Sequence, residues 1–125
     1  MNKQTEHELQ SSFISWCNLE SRKIMELSLI FSIPNGSNKS ITTAMKFKRE
    51  GLKSGIPDLF LPVARGGYHG LFMEWKRSDK EKLKPKQIEW NGKLTKQGYF
   101  CVTVSDVIIA EQVIKRYLRL QEGEK

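Results

Sequence analysis

The sequence lacks the features that mark several classes of protein. No stretch approaches the roughly 18 consecutive apolar residues of a transmembrane helix, and the polar start MNKQTEHE lacks the apolar core of a signal peptide. The two cysteines, Cys17 and Cys101, are far apart, and with only His7 and His69 beside them they do not make a zinc site. Each cysteine has apolar neighbours, which predicts two buried thiols in a reducing compartment. We therefore expect a cytoplasmic protein without a membrane segment.

What the sequence does contain suits one globular domain with a basic surface. At 125 residues, with 38% hydrophobic content, we expect a single domain over residues 1–125, with its core over about residues 5–120. The net charge of +7 and a pI near 9.5 predict a polyanionic partner, because basic surfaces attract phosphates without regard to sequence. An anionic membrane surface satisfies the same electrostatics.

The chain is organised around residues 55–76, GIPDLFLPVARGGYHGLFMEWK. Two apolar runs flank an Arg-Gly-Gly turn sequence, which predicts a β-hairpin. Because side chains alternate along a strand, Glu74 and Lys76 share one face, with Cα atoms about 7 Å apart. Pairing of the two strands would bring Asp58 to the Glu74 end. The hairpin therefore predicts two carboxylates and one ammonium group at a single point.

These three groups suit metal-assisted cleavage of a phosphodiester. Two carboxylates can hold a hard cation such as Mg²⁺, and a lysine beside them can position water or neutralise developing charge. The alternative is structural: Asp58 caps a turn after Pro57, and Glu74 and Lys76 form a solvated pair. The hairpin alone leaves both interpretations open.

A first helix, predicted over residues 5–25, carries two acids in its first turn. Thr5 can cap this helix, with Glu8 as the acid of a capping box. At about 100° per residue, Glu6 falls instead on the apolar stripe of Leu9 and Phe13. An acid on an inward face is costly unless a cation or partner receives it. We therefore predict Glu6 as a site acid, while a shift of helix register would exchange it with Glu8.

The rest of the pattern predicts alternating helices and strands. In chain order we expect the first helix, a strand over 27–33, a helix over 42–50, the hairpin, a helix from residue 85, a strand over 99–104 and a last helix over about 107–118. The charged segment after Lys76 is predicted to be an exposed loop. Gln87 ends an inward stripe with Trp90 and Leu94, as either a site residue or a helix-surface glutamine.

Positive charge concentrates just before the hairpin. The basic side chains stand against the single acid Glu50 and are Lys39, Lys46, Lys48, Arg49 and Lys53. They form either a solvated basic face or a surface that grips a phosphate backbone. An isolated cluster of this kind is more often a solvated face, but its position just before the Asp58 hairpin makes it equally well placed to bind a phosphate backbone.

Taken in order, these residues resemble a VRR-NUC domain, the virus-type replication-repair branch of the PD-(D/E)xK nucleases, in its stand-alone viral form. The resemblance spans residue 6 to about residue 118 and is carried by Glu6, Pro34-Asn35-Gly36, Gly55-x-Pro57-Asp58, Glu74-x-Lys76 and Gln87. One departure is Lys84, where a serine-like helix cap is expected. The resemblance implies a single-domain α/β, restriction-endonuclease-like fold with a mixed sheet of about four strands flanked by helices.

By the same resemblance, Asp58 and Glu74 would hold Mg²⁺ or Mn²⁺, with Glu6 as a further ligand directly or through water. Lys76 would orient the hydrolytic water, and Gln87 would support Lys76 or the scissile phosphate. Small viral relatives resemble Holliday-junction resolvases and act as homodimers, whereas larger eukaryotic relatives lie within DNA-repair nucleases. The implied function is a structure-specific DNA endonuclease, with branched or four-way-junction DNA as substrate of a homodimer.

Three functions remain in competition. The first is this active metal-dependent nuclease, and the second is a non-catalytic nucleic-acid-binding module of the same fold. The third is a flap- or end-directed or restriction-type nuclease. The presence of every predicted acid and of the lysine argues against a decayed site, and base readout by a restriction enzyme usually needs a longer chain. The sequence therefore favours the first function.

Overall fold

The computed structural model of the protein describes residues 4–34 and 40–122. Its α-helices are α1 (Glu6–Glu20), α2 (Ile41–Arg49), α3 (Pro85–Lys96) and α4 (Val107–Leu118). A short 3₁₀ helix covers Met25–Leu29. The strands are β1 (Phe31–Ser32), β2 (Leu59–Leu61), β3 (Leu71–Trp75) and β4 (Phe100–Val104). Within the described residues, every helix is too short or too polar to cross a lipid bilayer.

The strands form one mixed sheet in the order β1-β2-β3-β4. Strands β1, β2 and β3 pair antiparallel, whereas β3 and β4 pair parallel, with α3 as the crossover between them. The predicted hairpin is therefore the centre of the sheet. Its turn contains Gly66 and Gly67 at φ of 57° and 84°, a backbone conformation that glycine adopts without steric cost. The predicted four-stranded α/β architecture is confirmed.

Helices flank both faces of the sheet. On one face, α1 and α4 close the core: Phe13 packs edge-on against Trp75 with ring centroids 5.6 Å apart, and Tyr117 lies 5.8 Å from Phe100. On the other face, α3 contributes Thr95, which hydrogen-bonds the half-buried Cys101. Buried apolar residues of the first face make up most of the core, including Leu9, Phe13, Cys17, Leu27, Leu59, Leu61, Leu71, Met73, Trp75, Ile114 and Tyr117.

Two predicted elements differ from the structure. The first helix ends at Glu20, where the Ser21 hydroxyl donates to the Asn18 carbonyl at 2.7 Å. The prediction of a strand over 27–33 was wrong for its first half. There the Ser28 hydroxyl donates to the Met25 carbonyl at 2.7 Å and closes a 3₁₀ turn that competes with strand pairing. Of the predicted Pro34-Asn35-Gly36 turn, residues 35 and 36 lie outside the described part of the chain.

Candidate active site

Asp58 and Glu74 lie side by side at the open end of the hairpin. Leu59 pairs with Met73 in the antiparallel ladder. Asp58, just before Leu59, therefore falls opposite Glu74, just after Met73. The Trp75 backbone N–H donates to Asp58 Oδ2 at 2.7 Å, and the Ile33 N–H donates to the Asp58 carbonyl at 2.8 Å. These two bonds hold Asp58 between its neighbouring strands, with its carboxylate beside that of Glu74.

The Glu74 carboxyl is buried, with only 3% of the residue exposed. Desolvation raises the pKa of Glu74 to about 10, with further contributions from the adjoining Asp58 carboxyl and the more distant charge of Glu6. Its Oε1 atom is buried and has no hydrogen-bond partner among the described residues. A buried oxygen without a partner costs free energy, and a bound cation would recover part of it. Glu74 Oε1 is therefore a candidate ligand atom for a cation.

The first turn of α1 directs its two acids differently. Glu8 is exposed and completes a capping box, because its Oε1 accepts from the Thr5 N–H and its own N–H donates to Thr5 Oγ1, both at 3.1 Å. These cap hydrogen bonds lower the pKa of Glu8. Glu6 is half-buried and faces the carboxyls of Glu81 and Asp58. Its pKa is raised to about 6, first by desolvation and then by these neighbours. The helix register thus brings Glu6, and not Glu8, towards the acids of the hairpin.

Lys76 and Gln87 are occupied elsewhere in this structure. Lys76 Nζ donates to the Asp79 carbonyl at 3.3 Å. Gln87 Oε1 accepts from the Lys84 N–H at 2.8 Å and so caps the start of α3, where a serine-like residue was expected. The lysine whose charge opposes the raised pKa of Glu74 is Lys84. Of the predicted groups, the structure therefore brings the three acids near one another and leaves Lys76 and Gln87 at their margin.

The segment after Lys76 contains site residues that the sequence analysis missed. Glu81 is half-buried, contacts the Glu6 carboxyl and accepts from Arg77 Nε at 3.3 Å. Lys84 acts on Glu74 from the end of the same segment. The charged composition concealed these contacts, because it predicted a solvated loop. Both ends of the segment adjoin predicted site residues, Lys76 and Gln87, and this was the signal that the loop must run along the site.

The basic residues before the hairpin do not form one continuous row. Lys48 and Lys53 line a groove between α2 and α3. Lys46 and Arg49 line a separate depression on α2, together with Thr42, Met45 and Glu50. This division follows from the helix, since residues 46 and 49 lie close together on its surface while residue 48 points away from both. Lys39 lies outside the described residues.

The donor set of the site fits a hard cation with few protein ligands. No group of three or more His, Cys, Asp or Glu side chains within residues 4–34 and 40–122 is arranged to hold a metal ion. Asp58 and Glu74 nevertheless present adjoining carboxylates, with one buried oxygen that lacks a partner. Mg²⁺ commonly binds through one or two carboxylates and keeps several waters. The two residues therefore could hold Mg²⁺ or Mn²⁺, with Glu6 as a further ligand directly or through water.

Comparison with known proteins identifies the family of the fold. The family model of the VRR-NUC domain matches residues 1–116. Among solved structures, a "VRR_NUC domain protein" is similar to this chain with a TM-score of 0.83 and 32% sequence identity, and the alignment covers 99% of this chain and 98% of that one. A search of curated proteins gives no match. The similarity therefore covers the sheet, its flanking helices and the hairpin together.

Proposed function

Because the chain belongs to the VRR-NUC family of nuclease domains, we propose that it is a metal-dependent endonuclease that cuts branched DNA. The observation that carries this proposal is the buried Oε1 of Glu74, which has no partner among the described residues and lies beside the carboxylate of Asp58. Burial of such an atom without a partner costs free energy, and a bound cation would recover part of that cost. The basic composition supports a polyanionic substrate.

In this proposal, Asp58 and Glu74 hold Mg²⁺ or Mn²⁺, which supplies charge neutralisation and an activated water. The Trp75 N–H fixes the orientation of the Asp58 carboxylate through its 2.7 Å bond. Glu6 adds negative charge from α1. Glu6 lies on α1, whereas Asp58 and Glu74 lie on the hairpin, so a cation bound among them would link the helix to the hairpin.

Lys76 and Gln87 act on the substrate. Lys76 directly follows β3, and its ammonium donates to the carbonyl of the exposed Asp79, a partner that an incoming phosphate or water can replace. There it orients the attacking water. Gln87 uses its oxygen for the cap of α3, which leaves the side-chain NH₂ group as a donor for a phosphate oxygen or for the water that Lys76 holds.

Cleavage assays test this function directly. Plasmid, flap and four-way-junction DNA are incubated with the protein in Mg²⁺ or in EDTA, and Asp58→Asn and Glu74→Gln are run in parallel. We expect cleavage only in Mg²⁺ or Mn²⁺ and a loss on the order of 1,000-fold in each variant, since several kcal/mol of charge stabilisation disappear. Full activity in EDTA or in either variant refutes the metal site. Binding without cleavage of any substrate identifies a non-catalytic module.

A four-way junction as substrate requires a homodimer, because resolution needs two symmetric cuts and each chain has one site. Exposed apolar side chains on α1 and α4 are candidates for the interface, with Leu19 65%, Ile108 63% and Ile109 48% exposed. Sedimentation with and without junction DNA measures the assembly. A strict monomer at micromolar concentration removes the resolvase function and leaves a flap- or end-directed nuclease.

A further inference from the structure

A groove of about 510 Å³ lies between α2 and α3, apart from the three acids of the candidate site. Besides two apolar side chains, it is lined by three lysines, one tryptophan, one serine and one glutamate: Lys48, Lys53, Lys86, Trp90, Ser54 and Glu89. From the sequence, Lys48 and Lys53 are predicted to bind DNA in general, and Lys86 and Trp90 have no predicted role in binding. The groove joins all four.

The groove is built by a tight contact between the chain before Asp58 and the start of α3. Lys86 Nζ donates to Ser54 Oγ at 3.1 Å. Gly55 has φ +89°, and a Cβ added there would lie 2.8 Å from the backbone carbon and oxygen of Lys86. Only glycine permits this approach. Asp58 follows three residues after Gly55, and Gln87 directly follows Lys86, so both walls of the groove continue along the chain into predicted site residues.

The charge of the groove favours an anion. Three lysines face one acid, Glu89, and that acid is already paired with Lys93 at 2.9 Å. Lys93 also lies over the ring of Trp90, 5.3 Å from its centroid, which places a further ammonium at the aromatic edge of the groove. The groove therefore presents lysine ammonium groups for phosphates together with an indole ring.

An indole ring beside lysines is suited to unpaired nucleotides. Proteins that bind single strands combine a positive groove for the backbone with aromatic rings on which bases stack. Paired bases are stacked inside the duplex and do not reach a side chain within a groove, so the ring contributes little to duplex binding. A stacked base would use the face of Trp90 that Lys93 leaves uncovered.

We propose that this groove binds an unpaired stretch of DNA next to the cleavage site, with phosphates on Lys48, Lys53 and Lys86 and a base on Trp90. The inference rests on the proposed nuclease function and specifies its substrate. Among branched DNAs, those with unpaired nucleotides at the branch bind more tightly than a fully paired junction. The scissile phosphate then lies at the boundary between the single strand and the duplex.

Binding in EDTA tests the groove without any cleavage. Fluorescence anisotropy compares a labelled thymidine oligomer with a duplex of equal length. Trp90→Ala weakens oligomer binding by about 5-fold to 100-fold, the range expected for loss of one base stack, and changes duplex binding less than about 2-fold. Trp90→Phe retains most of the affinity because it keeps an aromatic face. Equal loss for both DNAs, or no loss, overturns the proposal.

A lysine double variant and a control variant test the groove if Trp90→Ala fails to fold. Lys53→Ala combined with Lys86→Ala alters only exposed side chains and should reduce oligomer affinity at least about 10-fold, with a lower salt slope. The control is Lys115→Ala on α4. Lys115 also lies over an indole ring, 5.4 Å from the centroid of Trp16, but outside the groove. Equal losses in the double variant and the control overturn the groove.

The outcomes also separate this inference from the nuclease function. A protein that binds the oligomer through Trp90 but cuts no DNA in Mg²⁺ retains the groove and loses the nuclease. If the wild type cuts branched DNA in Mg²⁺ but Trp90→Ala binds single strands as tightly as the wild type, the nuclease function stands and the groove proposal fails.

Discussion

Helices α1 and α2 begin in the same way and lie in different environments. Each has a hydroxyl cap: Thr5 accepts from the Glu8 N–H at 3.1 Å, and Ser40 accepts from the Thr43 N–H at 3.2 Å. Helix α1 then buries Leu9, Phe13 and Cys17 in the core, whereas α2 buries none of its described residues. Capping therefore starts both helices, and of the two only α1 buries side chains fully in the core.

This difference matches the groups that each helix carries. Helix α1 carries Glu6, an acid of the candidate metal site, and α2 carries Lys48, a cation of the groove. A metal site needs ligands held to a fraction of an ångström by packed supports. A flexible DNA backbone can be gripped by long surface side chains that adjust to it. The acid of the metal site therefore lies on the packed helix α1, and the lysine of the groove lies on the surface helix α2.

The largest expected effect is on stability and follows from the packing of α1. Phe13 is fully buried against Trp75, so Phe13→Ala should lower the free energy of unfolding by about 3–5 kcal/mol. Ile41→Ala on α2, where the side chain is 81% exposed, should change it by less than about 0.5 kcal/mol. Urea denaturation measures both. Similar losses in the two variants would show that α2 is packed as tightly as α1.

The second prediction compares a lysine that follows the core strand with a lysine at the start of α3. Lys76→Ala should lower the cleavage rate by about 100-fold to 1,000-fold, the usual cost of one electrostatic contact in a transition state. Lys84→Ala, which removes the charge that now opposes the raised pKa of Glu74, should lower it less than about 10-fold. Single-turnover kinetics separate the chemical step from binding. If Lys76→Ala weakens only DNA binding, Lys76 is a backbone contact.

The third prediction concerns the effect of the buried Glu74 carboxyl on stability. The pKa of Glu74 is raised from 4.5 to about 10 in the folded protein, so the folded state holds this proton more tightly than the unfolded chain. The stability that Glu74 contributes is therefore complete below about pH 4.5 and is lost as pH rises towards 10. In EDTA at about pH 8, Glu74→Gln should raise the free energy of unfolding by about 1–3 kcal/mol.

Thermal denaturation in EDTA at acid and alkaline pH checks this sign, because the advantage of the variant should vanish at low pH. Added Mg²⁺ should raise the melting temperature of the wild type and leave that of Glu74→Gln almost unchanged. A variant that is less stable than the wild type at alkaline pH without metal would contradict the prediction.

The smallest effect separates the two acids in the first turn of α1. Glu6→Gln should reduce cleavage about 10-fold without lowering the melting temperature, since it removes a charge from the edge of the metal site. Glu8→Gln should slightly lower the melting temperature and leave the cleavage rate unchanged, since it weakens only the capping box. The reverse pattern would exchange the roles of the two acids.

Periodicity and turn residues predicted the hairpin, because apolar runs flank Arg65-Gly66-Gly67, whereas the mixed four-stranded sheet was implied by the resemblance to the family. The 100° helical step also distinguished Glu6 from Glu8, and the capping box is present in the structure. The cap on α3 was not predictable, since Gln87 replaces a missing hydroxyl only through the conformation of its long side chain. Glu81 lies in a segment without any periodicity, so no pattern could indicate which way it faces.

The groove was beyond prediction for a different reason. It brings Lys48 together with Lys86, which are far apart in the sequence, through a contact at Gly55 that depends on the final packing of α3. The strand predicted over 27–33 failed locally, where the Ser28 hydroxyl offered the backbone a competing turn. Local signals therefore identified the elements, and the long-range contacts determined the surfaces between them.

The hydrogen bond from the Trp75 N–H to Asp58 Oδ2 also makes this amide a spectroscopic reporter. The amide proton is hydrogen-bonded to a carboxylate oxygen whose electron density shifts when a cation binds. In a ¹H–¹⁵N correlation spectrum, the Trp75 backbone resonance should move with metal concentration, while amides of α2 remain in place. Occupancy of the site can therefore be followed by NMR in the absence of DNA and without any cleavage reaction.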